Sequence, residues 1–240
     1  MILLAPLVLR PARRDRLRFL LTLSGVAVGV ATMAAIRLAN ASVLSSFSKT
    51  VDFVAGKASL TVLSSGAGLP EEVLGRLAWL RRTGAVITPA LTETAALATP
   101  DGEVVEVLGI DPLADGEVRT YVGAGGSSAG SPLHVFRRNG VLVTEAFAAR
   151  HHLKAGDSFP ILAGGAPHEL VVASVLAPEG VARAASGSIL FADLATVQEL
   201  FGKLGRLDRI DVVLPPDTTD ETRRLYEDEL RASLPPDATV

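Results

Sequence analysis

Three places in the chain hold residue types that could do chemistry. Gly126-Ser127-Ser128-Ala129-Gly130 matches the G-x-S-x-G pattern, in which a strained turn between a strand and a helix presents a serine to a histidine base. The context argues against it, because no apolar strand precedes Gly126 and Ser131-Pro132 follows where a helix should begin. His168-Glu169 opens like a zinc-protease motif, yet "HELVV" lacks the second histidine that two-point metal binding needs. His151 and His152 are adjacent, so on a helix they point about 100° apart and cannot both face one metal. They read as a solvated helix end, with His152 placed to favour the C-terminal dipole.

Other chemistries are missing altogether. The chain has no cysteine, which removes disulfides, thiolate nucleophiles and sulfur-based zinc sites. Gly56-Lys57 lacks the earlier glycine and the following hydroxyl residue of a P-loop. Asp and Glu are scattered, with no pair that spacing brings together for acid–base work. No catalytic, metal-binding or cofactor-binding residue is assigned, and no cofactor is expected.

Charge and hydropathy point elsewhere. Of 240 residues, 48% are apolar, enough to fill the core of one or two domains. Five arginines (Arg10, Arg13, Arg14, Arg16 and Arg18) against Asp15 leave +4 in residues 1–18, so a net charge of -3 puts -7 on the rest. An acidic body excludes a nucleic-acid binder, whose affinity rests on neutralising phosphates.

The arginines precede a run with no charge from Phe19 to Ile36, 18 residues long. As a helix it covers about 27 Å, close to the hydrocarbon thickness of a bilayer. It exceeds the apolar core of a secretory signal, and the Ala39-Asn40-Ala41 tripeptide lies behind Arg37, so the segment reads as a retained span. Arg13, Arg14, Arg16 and Arg18 then orient the N-terminus to the cytoplasm and the bulk of the chain outside. Gly25 and Gly29 form one small-residue ridge on this helix, and Ala27, Ala31 and Ala35 form another about 200° away. Both faces permit close approach by a neighbouring helix; chance abundance of Gly and Ala is the competing reading.

Past Arg37, Val43, Phe47, Val51 and Val54 keep helical spacing, so residues 37–56 extend the span as a stalk. "ASLTVLSS" reads as a strand, and Pro70 opens a helix lined by Val73, Leu77 and Leu80. Two strands follow, "GAVITPALTETAALAT" and "EVVEVLGI", joined by a Pro100-Asp101-Gly102 turn. Residues 111–131, glycine-rich and without period, read as a long surface loop. Then come a strand, a helix capped by Thr144, a hairpin entered at Gly156-Asp157, and a strand leading to a helix capped by Asp193. After the alternating strand "LDRIDVVLP", Thr218 and Glu221 form a capping box for a last helix. The expected architecture is an α+β extracytoplasmic domain. Two βαβ-type units, 57–111 and 181–240, form one sandwich, and 112–180 is inserted as a small β-rich lobe.

This order resembles the extracytoplasmic core domain of MacB-like and FtsX-like ABC-transporter permeases. The segments "LVTEAFAARHHLKAGDSFPI" and "SILFADLATVQELFGKLGRLDRIDVVLP" carry the likeness, which extends over nearly the whole chain. The resemblance implies a permease subunit in the cell membrane rather than an enzyme. It also implies a separate cytoplasmic ATPase, self-association or a second permease subunit, and an outer domain moved through the first helix and stalk. Family members move lipoproteins or lipids, expel peptides or drugs, or relay a signal to cell-wall enzymes. Such permeases have further spans, so a chain ending at "SLPPDATV" is expected to be an N-terminal piece of a longer protein. A membrane-anchored binding or scaffold module is the alternative, and an anchored serine hydrolase the third reading.

Overall fold

A single long strand organises the outer domain. Val86–Leu97 (β3) runs for twelve residues, about 40 Å of extended chain, and is buried without a break from Ile87 to Leu91. That is long enough to serve two parts of the molecule at once. The computed structural model describes residues 21, 24–33, 58–64, 68–100, 102–124, 132–184 and 188–240. They fall in two units, Met1–Lys49 and Thr50–Val240. In the first, Leu21 and residues 24–33 are helical and exposed, with the Ser24 and Thr32 hydroxyls donating to the carbonyls of Leu21 and Val28. Gly25, Ala27, Gly29 and Ala31 lie on this helix. Arg13, Arg14, Arg16, Arg18 and Ala35 lie outside the described residues, as do the stalk and most of the expected span. Among the described residues no helix is long and apolar enough to cross a membrane.

The second unit contains strands Leu60–Ser64 (β1), Leu69–Pro70 (β2), β3, Val104–Ile110 (β4), Gly140–Thr144 (β5), Ser158–Ala163 (β6) and Ala166–Leu176 (β7). Ile189–Asp193 (β8), Arg206–Leu207 (β9), Arg209–Val213 (β10) and Ala238–Thr239 (β11) complete the set. Its helices are Val73–Arg76 (α1), Ala78–Arg81 (α2), Asp115–Val118 (α3), Glu145–Arg150 (α4), Val181–Ala184 (α5), Leu194–Leu200 (α6) and Asp220–Ser233 (α7). A 3-10 turn at Pro132–Phe136 precedes β5.

Nine strands form one sheet in the order β11-β1-β10-β3-β4-β8-β5-β7-β6, and β6 returns to β3 through Ala96↔Leu162 and Leu97↔Ile161. Closure through β3 makes a six-stranded barrel of β3, β4, β8, β5, β7 and β6. The first half of β3 instead pairs with β10, from Val86↔Val213 to Ala90↔Arg209, and so carries β10, β1 and β11 as an extension of the barrel wall. β1 and β11 are neighbours, with Leu63 opposite Thr239.

This replaces the expected sandwich of two βαβ units. The strands of the supposed inserted lobe stand in the same sheet, β5 against β8 and β6 against β3, and share one apolar core with the rest. Short apolar runs show that a strand is buried, not which strand lies beside it, and β5 is buried at all five positions.

Alternation along the strands fills the barrel with Leu91, Val107, Val143, Ile161, Val172 and Leu190. The opposite faces of β4, β5 and β8 offer Leu108, Ile110, Leu142 and Phe191 to a second core, closed by Val135, Val181 and Tyr121. Glycine permits two close approaches by α6. A Cβ at Gly109 would sit 3.0 Å from that of Val197, and one at Gly164 would sit 2.5 Å from the Leu200 carbonyl oxygen. α1, α2 and α7 bury Val73, Leu80 and Leu230 in the main core beside Ile87, Ile210 and Val212. The last helix is capped by Thr219, whose side chain accepts from the Thr222 N–H at 3.2 Å, one residue beyond the expected Thr218.

Candidate functional site

Two charged clusters stand out, one closed inside the fold and one at the open end of the barrel. The first arises in the stretch expected to be a surface loop. Residues 111–124 instead lie against the outer barrel wall, with Asp115, Val118 and Arg119 buried. The Arg119 guanidinium donates to Asp115, one helical turn back, and to Asp211 of β10; the Tyr121 hydroxyl donates to the other Asp115 oxygen. Asp211 also pairs with Arg209 at 3.4 Å and accepts from the Thr61 hydroxyl of β1 at 3.4 Å. Tyr121 rests edge-on against Phe191 of β8, ring centres 5.7 Å apart.

Burial sets the protonation of this cluster. It pushes the Asp115 carboxyl up, against the pull of Arg119 and the Tyr121 hydrogen bond. The Tyr121 phenol rises well above its ordinary value, mainly through burial and the adjacent Asp115 charge. Burial would lower Arg119, but the two aspartates more than offset it and hold the guanidinium charged. Arg209 is lowered by burial. With its polar atoms turned on one another, the cluster joins the 111–124 segment to β1 and β10; it offers no open position to a substrate.

The second cluster surrounds the end of α4. Thr144 caps this helix as expected, accepting from the Phe147 N–H at 3.2 Å. Its far end closes with the Leu153 N–H donating to the Ala148 carbonyl at 2.9 Å, which places His152 in the left-handed region at φ 54. His151 is half-buried rather than fully solvated: its ring packs on Phe147 at 4.6 Å, and Nε2 meets Glu103 Oε2 at 2.8 Å. Glu103, from the β3–β4 turn, also pairs with Arg150 at 3.2 Å and accepts from the Ser188 hydroxyl at 3.0 Å. Burial raises the Glu103 carboxyl, but hydrogen bonds from Ser188 and His151 and the Arg150 charge outweigh it and hold its pKa below the ordinary value.

This Ser–Glu–His arrangement is not a nucleophilic triad. The carboxylate stands between serine and histidine and occupies Ser188 directly, leaving no histidine nitrogen on the hydroxyl to take its proton. His168 is half-buried on β7 opposite Ile161, with Glu169 exposed beside it. Among the described residues no group of three His, Cys, Asp or Glu could hold a metal ion. The Gly126–Gly130 motif lies outside the described residues.

Beside α4 a cleft of about 110 Å³ is lined by Leu97, Phe147, Leu153, Phe159 and Pro160, with His151 at its edge. Across Leu153 a more open groove of about 650 Å³ runs past Glu145, Ala148, Ala149, Val175, His152 and Lys154, so that one carboxylate and one ammonium share it. Sequence reading missed Glu103 and the Asp115–Arg119–Asp211 cluster. For the latter, two signals were present: the four-residue spacing of Asp115 and Arg119, and the placement of Asp211 between inward-facing Ile210 and Val212.

No protein-family profile matches the sequence. Over 212 residues it is 28% identical to an uncharacterized ABC transporter permease protein of Mycobacterium tuberculosis; the match covers 88% of this chain and 24% of that relative. The chain thus spans about a quarter of its relative's length. The extracellular domain of the noncanonical ABC-type transporter YknZ from Gram-positive bacteria superposes with a TM-score of 0.51 at 13% identity, covering 75% of this chain and 98% of that one. The periplasmic region of MacB from Actinobacillus actinomycetemcomitans gives a TM-score of 0.48 at 13% identity, over 74% of this chain and 85% of that one.

Proposed function

We propose that this chain, a homologue of the MacB/FtsX-like ABC-transporter permeases, works as the membrane-anchored outer-domain part of a permease. Residues 19–36 cross the cell membrane with the arginines at 13, 14, 16 and 18 in the cytoplasm, and residues 37–56 continue as a stalk. A separate cytoplasmic ATPase moves the outer domain, which thereby exports or extracts a substrate. The hydroxyls of Ser24 and Thr32 suit this placement, since each is satisfied by a carbonyl of its own helix and would need no water in lipid. Among the described residues, nothing outside its own helix would lie within 4 Å of a Cβ at Gly25 or Gly29, as suits a ridge that receives a helix of a second subunit.

The observation that carries the mechanical part is the double use of β3. β1 leads into the outer domain and pairs with β10; β10 pairs with the first half of β3, and the second half of β3 is barrel wall. A pull on β1 therefore reaches the barrel through continuous strand pairing, without a hinge between them. The Arg119 cluster reinforces the path by tying Asp211 and, through it, Thr61 to the segment that covers the barrel.

The full chain, tagged and extracted from its native cells in mild detergent, should bring down a P-loop ATPase. Intact chain recovered repeatedly without one overturns the reading. Orientation is tested separately, which the absence of cysteine makes direct. A membrane-impermeant maleimide applied to intact cells should label Ser42→Cys and spare Arg13→Cys.

A further inference from the structure

We propose that residues 111–124 form a releasable strap, a segment that lifts off the barrel wall as one unit while the barrel stays closed. The segment is fastened at two places. At one, Arg119 reaches Asp211 of β10; at the other, Gly123 stands opposite Leu176 at the end of β7, where the Ala124 N–H donates to the Val175 carbonyl at 3.0 Å and the Ala177 N–H to that of Val122 at 2.8 Å. Between them Tyr121 passes over Phe191 of β8, so the strap crosses the outer face from the extension to β7. Lifting it opens the second core at Phe191.

The fastening at β10 is polar. Pro112 and Val118 are buried, but Tyr121 and Val122 are only half-buried and Leu113 is 75% exposed. The Asp115, Arg119 and Asp211 side chains, by contrast, are wholly closed to water. An apolar cover that opens loses its burial with nothing in return, whereas buried charges that open regain their hydration, which offsets much of the lost attraction. Hydrogen-bonded pairs weaken steeply with small changes of distance and angle, so the members of the cluster give way together.

Thr88 adds an independent reason. It stands opposite Asp211 in the pairing of β3 with β10, on the same face, and its hydroxyl is fully buried with no hydrogen-bond partner among the described residues. Such a hydroxyl favours any state in which water reaches it, and lifting the strap from Asp211 is one. The lifting is a property of this domain alone. What drives it in the cell, a displacement of β10, rests on the transporter reading, which recovery of the ATPase tests separately.

The test is hydrogen exchange followed by mass spectrometry on the full chain in phosphatidylcholine nanodiscs. After correction for intrinsic rates, peptides from 111–124, where the Arg119 N–H is bonded to the Asp115 carbonyl at 2.8 Å, should exchange about ten-fold or more faster than β4 and β8. Val143→Ala opens a void inside the barrel and weakens the closed and lifted forms alike, so β5 and β8 should speed up by about ten-fold while the strap keeps its rate. Asp211→Asn should speed the strap by about ten-fold or more. Thr88→Val, which keeps the shape and removes the unpartnered hydroxyl, should slow it. A strap as protected as β4 and β8, a strap accelerated by Val143→Ala as much as β5, a strap not accelerated by Asp211→Asn, or one not slowed by Thr88→Val would each overturn the proposal.

Discussion

Asp115 and Glu103 are both carboxylates paired with arginine, and their surroundings push them in opposite directions. Asp115 is fully buried on the barrel wall, and loss of hydration raises its pKa despite the Arg119 guanidinium beside it. Glu103 keeps a quarter of its side chain in solvent, so burial is outweighed by its hydrogen bonds and cationic neighbours. Pairing alone therefore does not say what an ion pair contributes. Where water is excluded, each charge depends on its partner; where water remains, partners trade with solvent at little cost.

Arg119→Met is the harshest test of that contrast. It leaves Asp115 and Asp211 buried with their cation removed, a defect that costs about 3–5 kcal/mol. Urea unfolding followed through Trp79, the single tryptophan, measures it. Arg119→Met combined with Asp115→Leu removes one charge of each sign and leaves Asp211 with Arg209, so at least half of the loss should return. If the double variant is the less stable of the two, the cluster is not a charge-balanced unit. Tyr121→Phe comes next, at about 1–3 kcal/mol, because an Asp115 oxygen loses its donor while the ring contact with Phe191 stays.

Acid separates the two carboxylates by sign. Glu103 has a folded-state pKa below its ordinary 4.5, so its stabilisation is present above 4.5 and is lost as pH falls through the folded value. Asp115 has a folded-state pKa above its ordinary 3.8, so its contribution is full below 3.8 and fades as pH rises through the folded value. Urea midpoints measured from pH 3 to 7 should lose part of their acid-side decline in Glu103→Gln. The same decline should steepen in Asp115→Asn, which no longer takes up a proton in the fold's favour. Matching profiles for the two variants would mean that their environments do not differ as described.

The same contrast explains what could be read from sequence. Alternation in "DRIDVV" and helical spacing in "LATVQELF" follow from which faces are buried, and burial is written locally. Caps at Thr144 and Asp193 are local too, satisfied within three residues. Closure of the barrel is not local. Leu97 and Ile161 pair across sixty-odd residues, and nothing in either segment names the other. Asp115 and Asp211 are likewise joined only in space by Arg119. The segment 111–124 looked like a loop because its burial is polar, and a search for apolar periodicity passes over a charge balanced by another charge. Glu103, in a turn, gave no sign that it would meet His151, which reads from sequence as a solvated helix end.

Arg150→Ala carries the smallest expected effect and tests the comparison from its weak side. The pair with Glu103 spans 3.2 Å, but almost half of the Arg150 side chain is in solvent, and His151 and Ser188 remain on the carboxylate after its removal. Its loss should cost less than about 1 kcal/mol. The screening length falls to about 3 Å in 1 M salt, so the difference from the parent chain should shrink further there. The Arg119→Met defect should hardly change with salt, because ions cannot reach a cluster from which water is already excluded. Unfolding both variants at low and high sodium chloride gives four numbers. A salt-insensitive loss at Arg150 would place the barrel-mouth cluster with the buried one and remove the distinction drawn between them.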